Sequence, residues 1–166
     1  MNGKTIFWLL VAGAIILSAM SGYRVILKYF LPYWEGYQSK PYWDFKQWSW
    51  GYGTRVPNSV NDPTKIPAGT ISRAEAFAAM MQHIDRDYTD LKKLVRVPLT
   101  SAQWAAYLSF AYNLGVGNAD NLVNNINSKN MSALEHQWNS YVNAGGVVND
   151  HLKARRAAEW ELFSQT

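Results

Sequence analysis

The stretch that decides the fold is WEGYQSKPYWDFKQWSWGYGT, residues 34–54. It sets two acids, Glu35 and Asp44, among many aromatic side chains, and it closes with a Gly-x-Gly at 51–53. Aromatic residues interrupted by glycine predict short strands and turns over 41–56. Two interpretations are open at this point. The stretch is either an aromatic part of the core that carries two surface acids, or a site where the acids act between aromatic walls.

Composition indicates one globular domain and excludes several kinds of chemistry. The chain has 166 residues, of which 48% are hydrophobic and 17% charged, enough to bury a core. The net charge of +4 is modest and comes without a long basic run, so we expect no nucleic-acid partner. The absence of cysteine excludes disulfides and thiol catalysis. His83, His136 and His151 form no metal-binding pattern, and we expect neither a metal nor a cofactor.

The rest of the chain is predicted to be mainly helical. Capping boxes, in which Ser or Thr precedes Glu or Gln by three positions, predict helix starts at Ser72, Thr100 and Ser132. The predicted elements are a helix over 24–34 with a break near Pro32, a loop over 58–70, a helix over 72–94, a helix after Thr100, a glycine break over 113–118, and helices over 121–126, 132–142 and 150–163, with a break at Gly145–Gly146. A small sheet between an early helix and a helical lobe is typical of the α+β class.

The N-terminal segment Thr5–Tyr23 contains nineteen residues without a charge. As a helix it would be roughly 28 Å long, close to the thickness of the hydrocarbon core of a bilayer. It is rich in Gly, Ala, Ser and Thr, so leaving the bilayer would cost less than for a Leu-rich helix. Three readings stay open, namely a cleaved signal peptide, a permanent anchor and a weak anchor that can leave the membrane.

Glu35 and Asp44 have the residue types that hydrolysis of a glycosidic bond requires. One carboxyl group donates a proton to the leaving oxygen, and the other stays ionised as a base or a nucleophile. Glu35 falls at the end of a predicted helix next to Tyr33, Trp34 and Tyr37, where the helix dipole and burial would both disfavour its charged form. Asp44 is predicted to lie in a polar turn and to stay charged. Alone, the pair is also compatible with a solvated Glu and a turn-capping Asp.

Three blocks of sequence strengthen the catalytic interpretation. The first contains Glu35-Gly36, Asp44 and the Gly-x-Gly. The second is QWAAYLSFAYNLGVGN (103–118) and the third is HLKARRAAEWELF (151–163). In this order they resemble the phage-type lysozymes of the T4 lysozyme family, glycoside hydrolase family 24, over residues 28–164. The matching positions in the last two blocks include Gln103, Ser109, Phe110, Asn113, Gly115, Leu152, Arg155, Arg156 and Glu159. The resemblance implies a lysozyme-like α+β fold and an N-acetylmuramidase, with Glu35 as general acid and Asp44 positioning or activating water.

The third catalytic residue that the resemblance implies has two candidates. The family usually has Thr two positions before its Gly-x-Gly, where this chain has Ser49, one residue closer to the acid than in the family. Thr54, directly after the glycines, is the alternative, and the sequence leaves both open. For substrate binding we single out Trp50, Tyr52 and Asn113, although Asn113 is equally suited to capping a helix break.

The predicted function is that of an endolysin acting on peptidoglycan glycan strands. It would hydrolyse the β-1,4 bond between N-acetylmuramic acid and N-acetylglucosamine to lyse the host cell. The predicted domains are a hydrophobic signal anchor over 1–24 and a catalytic domain over 25–166. Held in the membrane through 5–23, close to Glu35, the enzyme would stay inactive until released, as in signal-anchor-release endolysins. We expect a monomer, first at the host inner membrane and then in the periplasm. The alternatives are a secreted bacterial muramidase and a non-catalytic cell-wall-binding protein.

Overall fold

The computed structural model describes residues 22–165, which form two compact units. One unit comprises residues 31–85, and the other comprises 22–30 together with 86–165. The segment 5–23 lies outside the described residues, apart from Gly22 and Tyr23. Within 22–165, no helix is both long enough and apolar enough to cross a membrane.

The first helix, α1 (Tyr23–Glu35), contains Pro32 and continues through it. The predicted break near Pro32 is therefore wrong. A proline inside a helix leaves the carbonyl four residues earlier without its usual donor, and here that carbonyl belongs to the exposed Lys28, where water can replace it. Ile26, Leu27 and Phe30 are completely buried on one helix face, and this burial favours a continuous helix.

The unit of residues 31–85 contains a three-stranded antiparallel sheet of strands β1 (Gln38–Asp44), β2 (Gln47–Gly51) and β3 (Thr54–Arg55), in that order. The loop that follows leads to α2 (Arg73–Leu94), whose first residues belong to this unit. Ser72 and Glu75 form the predicted capping box at the start of α2, with the Glu75 carboxylate accepting from the Ser72 N–H at 2.9 Å. The predicted strands, loop and helix start are confirmed.

The other unit is helical, with a core of large aromatic and aliphatic side chains that includes Tyr107, Phe110 and Trp138. Its elements are α3 (Ser101–Leu114), α4 (Val116–Asp120), α5 (Val123–Asn127), α6 (Met131–Asn139), β4 (Asn143–Ala144), β5 (Val147–Val148) and α7 (Asp150–Ser164). The Thr100–Gln103 capping box of α3 is present as predicted.

One predicted helix start in the helical unit is wrong, and one predicted glycine break is confirmed as a turn. Ser132 does not cap α6, because Asn130 takes that place and its side chain accepts from the Ala133 N–H at 3.2 Å. Asn caps helices about as well as Ser, so the helix can begin after Asn130. Ser132 then falls inside the first turn. The break at Gly145–Gly146 is the turn of a small hairpin, β4–β5, since two glycines with positive φ suit a two-residue hairpin turn.

Candidate active site

Glu35 is the last residue of α1 and is half-buried. The chain leaves the helix through Gly36, whose φ of 65° is the left-handed conformation that ends many helices. The turn of the Gly-x-Gly lies next to the Glu35 carboxylate, because a Cβ placed on Gly53 would stand 3.6 Å from Glu35 Oε2. The predicted burial of Glu35 among its aromatic neighbours is only partial, since Tyr33 is 48% exposed.

Asp44 is the last residue of β1 and is exposed. Tyr42 precedes it by two positions, so the two side chains lie on the same face of the strand. Burial raises the pKa of the Tyr42 hydroxyl, and the negative charges of Asp44 and then Glu35 raise it further. The charges of both carboxylates therefore act on the same group, the Tyr42 hydroxyl, within the 31–85 unit.

Tyr42 is a neighbour of the candidate acids that the sequence pattern alone did not indicate. The signal that could have found it is the alternation of a strand, in which positions i and i+2 share a face. With short strands predicted over 41–56 and Asp44 as a candidate, Tyr42 is the neighbouring polar side chain at i−2. The family resemblance implies roles for the two acids and for a hydroxyl near the glycines, and none for this phenol.

Ser49 and Thr54 lie on opposite faces of the sheet. Ser49 pairs with Tyr42 across β1 and β2, and paired residues share a face. Its Oγ accepts a hydrogen bond from Gln47 Nε2 at 3.2 Å. Thr54 instead pairs with Trp50, and its hydroxyl donates to the Trp50 carbonyl at 3.4 Å. Ser49 and Asp44 therefore belong to one face, which we call the acid face (Tyr42, Asp44, Gln47 and Ser49).

The opposite face of the hairpin carries the tryptophans. Trp43 and Trp48 pair across the strands with ring centroids 5.6 Å apart in an edge-to-face arrangement. Trp48 is buried, and its indole N–H donates to the Asp62 carbonyl at 2.9 Å. Trp50, a predicted sugar-binding residue, is half-buried with its ring edge near Gly69. These contacts make Trp48 a core residue and leave only part of Trp43 and Trp50 accessible.

Tyr52 and the two glycines around it form a tight turn. Tyr52 is buried and its ring packs against Tyr37, with centroids 5.6 Å apart. Gly51 has a φ of 62°, and a Cβ placed there would stand 2.7 Å from the Ala76 Cβ on α2. No side chain fits at that distance, so Gly51 allows the sheet and α2 to approach closely. The structure thus places Tyr52, a predicted substrate-binding residue, in the packing of this turn.

Asn113 lies in the helical unit, on α3. Its Oδ1 accepts a hydrogen bond from the Arg156 guanidinium at 3.0 Å. Arg156 also donates to Glu159, so the orientation of the Asn113 amide is coupled to a buried ion-pair network. Among residues 22–165, no three side chains of the kinds that bind metals cluster around a point where an ion could be held.

The fold, a small antiparallel sheet followed by a helical unit, defines a class of protein, namely an α+β protein of the lysozyme type. The sequence model of the phage lysozyme family matches residues 32–159. The chain therefore belongs to the phage lysozyme family, and its enzyme class by family is that of a lysozyme, a glycosidase. The predicted family and fold class are confirmed.

Comparison with known proteins agrees with this assignment. An endolysin of Bacillus phage B103 is 29% identical over 99 residues, which are 58% of this chain and 38% of that endolysin. The chain thus matches well under half of that relative. The structure is similar to the muramidase domain of SpmX from Asticaccaulis excentricus (TM-score 0.72, 20% identity, 84% of this chain and 95% of that one). It is also similar to an endolysin from Escherichia coli O157:H7 phage FAHEc1 (TM-score 0.69, 21% identity, 83% and 90%).

Proposed function

We propose that this protein degrades peptidoglycan by hydrolysing the β-1,4 bond between N-acetylmuramic acid and N-acetylglucosamine. The observation that carries the proposal is that one unit holds Glu35, at the end of α1 beside the Gly-x-Gly turn, and Asp44, at the end of β1. Hydrolysis of a glycosidic bond requires two carboxyl groups that flank that bond. Membership of the phage lysozyme family supports the choice of a glycan as substrate.

In the proposed mechanism, protonated Glu35 donates its proton to the glycosidic oxygen as the bond to the anomeric carbon breaks. Asp44 stays ionised and takes a proton from the water that attacks that carbon. The product is a sugar with a free reducing end. The half-buried position of Glu35 suits the acid, and the exposed position of Asp44 suits the group that must reach water.

We assign the third role to Ser49 and not to Thr54. Ser49 belongs to the acid face, and its hydroxyl retains one donor while accepting from Gln47. The Ser49 side chain is buried, with 0% exposure, and we propose that this donor bonds to the attacking water that Asp44 activates. The Thr54 hydroxyl lies on the tryptophan face and donates to the Trp50 carbonyl, which suits a residue that stabilises the turn.

The test is lysis of cells stripped of their outer membrane, followed as loss of turbidity. Wild type should lyse them, and Glu35→Gln should lower the rate by at least roughly a hundredfold, the usual contribution of a general acid. Glu161→Gln, an exposed position on α7, is the matched control and should lyse at the wild-type rate. Reducing ends among the products would support hydrolysis, whereas an anhydro sugar would show a transglycosylase. Equal lysis by wild type and Glu35→Gln would remove Glu35 from its role.

Two further measurements address the alternative functions. A non-catalytic wall-binding protein would sediment with purified cell walls but would release no soluble fragments from them. A secreted bacterial muramidase would cleave the same bond, so its separation from a lysis enzyme rests on biological context. Expression in the cytoplasm and periplasm of a Gram-negative host, with lysis followed over time, tests whether the enzyme reaches its substrate by itself.

We further propose that the enzyme is first held in the host inner membrane through residues 5–23 and then released into the periplasm. The supporting observation is that α1 runs from Tyr23 to Glu35 without interruption. A helix of 13 residues measures roughly 20 Å, so no loop separates the end of the uncharged segment from the proposed acid. The test is fractionation of cells before and after collapse of the membrane potential. Full-length protein should move from the membrane to the soluble fraction, whereas a shortened soluble form alone would show a cleaved signal peptide.

A further inference from the structure

The turn that joins β1 to β2 has an unusual residue at its centre. Asp44 pairs with Gln47, so only Phe45 and Lys46 connect the strands. Phe45 has a φ of 52°, and the Lys46 N–H donates to the Asp44 carbonyl, which makes a three-residue γ-turn. A positive φ at the centre of such a turn is rare and strained for a bulky side chain. Gly, Asn or Asp would adopt it at lower cost.

The side chain of Phe45 gains nothing from packing. It is 92% exposed, more than any other large apolar side chain in residues 22–165. Single exposed apolar residues are common and need no explanation. Phe45 differs from such residues, because its strained backbone and its exposed side chain both oppose stability. Strained residues without a structural reason are concentrated at functional sites.

The location of Phe45 suggests what its ring contacts. It directly follows Asp44 in the turn at the end of the β1–β2 hairpin, so it is the immediate chain neighbour of the proposed water-activating carboxylate. The C–H faces of a pyranose ring and the methyl of an N-acetyl group are flat or compact apolar surfaces, which match an exposed aromatic face. Binding a sugar ring would bury the Phe45 ring and offset its exposure.

We propose that Phe45 is a substrate-binding residue that stacks on a sugar ring of the glycan strand next to the scissile bond. This inference rests on the proposed function of the acid face. A glycan fits better than a lipid surface, because the flanking residues Asp44, Lys46 and Gln47 are polar or charged. Asp44 would be repelled by an anionic membrane, whereas the hydroxyls of a glycan can bond to it.

The experiment separates affinity from turnover and from stability. Phe45→Gly removes the ring and suits the turn, so its melting temperature should equal or exceed that of wild type. Its KM for peptidoglycan should rise roughly 3- to 10-fold with kcat nearly kept, since an aromatic contact contributes about that factor. Phe45→Trp keeps an aromatic ring at this position and should therefore keep the wild-type KM. In the Glu35→Gln background, sedimentation with purified cell walls should show the same loss of affinity for Phe45→Gly.

A matched control and a membrane test complete the design. Ile66→Ser removes another exposed apolar side chain of the same unit, 73% exposed, and should leave KM unchanged. An unchanged KM for Phe45→Gly in an otherwise active enzyme would overturn the role of Phe45 and leave the proposed function intact. If Phe45→Gly loses affinity only for vesicles of phosphatidylethanolamine and phosphatidylglycerol, and keeps its affinity for cell walls, the role of Phe45 is overturned as well. If wild type neither cleaves nor binds the walls, the proposed function fails and this inference fails with it.

Discussion

The substitution Glu159→Gln tests the most densely bonded group in the helical unit. The Glu159 carboxylate is completely buried and is paired with Arg155 Nε at 3.1 Å and Arg156 Nε at 2.8 Å. Ser109 Oγ donates to it at 2.7 Å and Trp138 Nε1 at 3.3 Å. Gln keeps the shape of the side chain but removes the charge, and it turns one acceptor oxygen into a donor that faces other donors. Two buried guanidinium groups would then lack the carboxylate that balances them.

The expected loss is about 3–5 kcal/mol, the usual cost of removing one partner from a buried ion pair. For a chain of this length that corresponds to a fall in melting temperature of roughly 6–20 °C. Urea unfolding followed by tryptophan fluorescence and by circular dichroism measures the free energy directly. The control is Glu161→Gln, which is exposed two positions further along α7 and should change stability by less than about 0.5 kcal/mol. A loss below about 1 kcal/mol for Glu159→Gln would refute the claim that the carboxylate balances both arginines.

Three further predictions follow from the acid face, the glycine turn and a buried carboxyl. Ser49→Ala should lower kcat roughly tenfold or more, because a misplaced water reacts slowly. Thr54→Val should keep kcat within a few-fold of wild type. A larger loss of kcat for Thr54→Val than for Ser49→Ala would assign the role to Thr54. Gly51→Ala should destabilise by about 2–4 kcal/mol, from the positive φ and the clash with α2; an unchanged urea midpoint would contradict the close approach. Burial raises the pKa of Asp87 to about 6, so wild type loses up to about 3 kcal/mol of stability as pH rises from about 4 to 7. Asp87→Asn should not show this loss of stability. If the free energies of unfolding of the two proteins change equally with pH over this range, the prediction is wrong.

Much of the fold could be predicted because its signals are local. The capping boxes at Ser72 and Thr100 each involve residues three positions apart, and both are present in the structure. The helix start at Ser132 was predicted by the same rule and is wrong, because Asn130 offered an equally good cap two residues earlier. The break expected at Pro32 is also absent, since burial of the apolar face of α1 outweighs a lost backbone hydrogen bond that water can replace.

The candidate site could be predicted only in part, because the sequence does not show which residues pair across the strands. Glu35 and Asp44 follow from residue type and from a resemblance that three blocks of sequence carry over residues 28–164. The choice between Ser49 and Thr54 depends on which residues face each other across the sheet, and spacing along the chain does not contain that information. For the same reason the sequence alone does not indicate Tyr42, although the negative charges of both acids raise the pKa of its hydroxyl.

The strand register also answers whether the aromatic stretch is core or site. Trp43 and Trp48 form a cross-strand pair on one face, with Trp48 buried, while Asp44 lies on the other face and is exposed. A slip of one residue would exchange the two faces, burying the acid and exposing the tryptophans. The cost of exposing a buried Trp48 side chain, at least about 2 kcal/mol, disfavours that slip. The packing of Trp43 and Trp48 therefore stabilises the register that keeps Asp44 on the face of Tyr42.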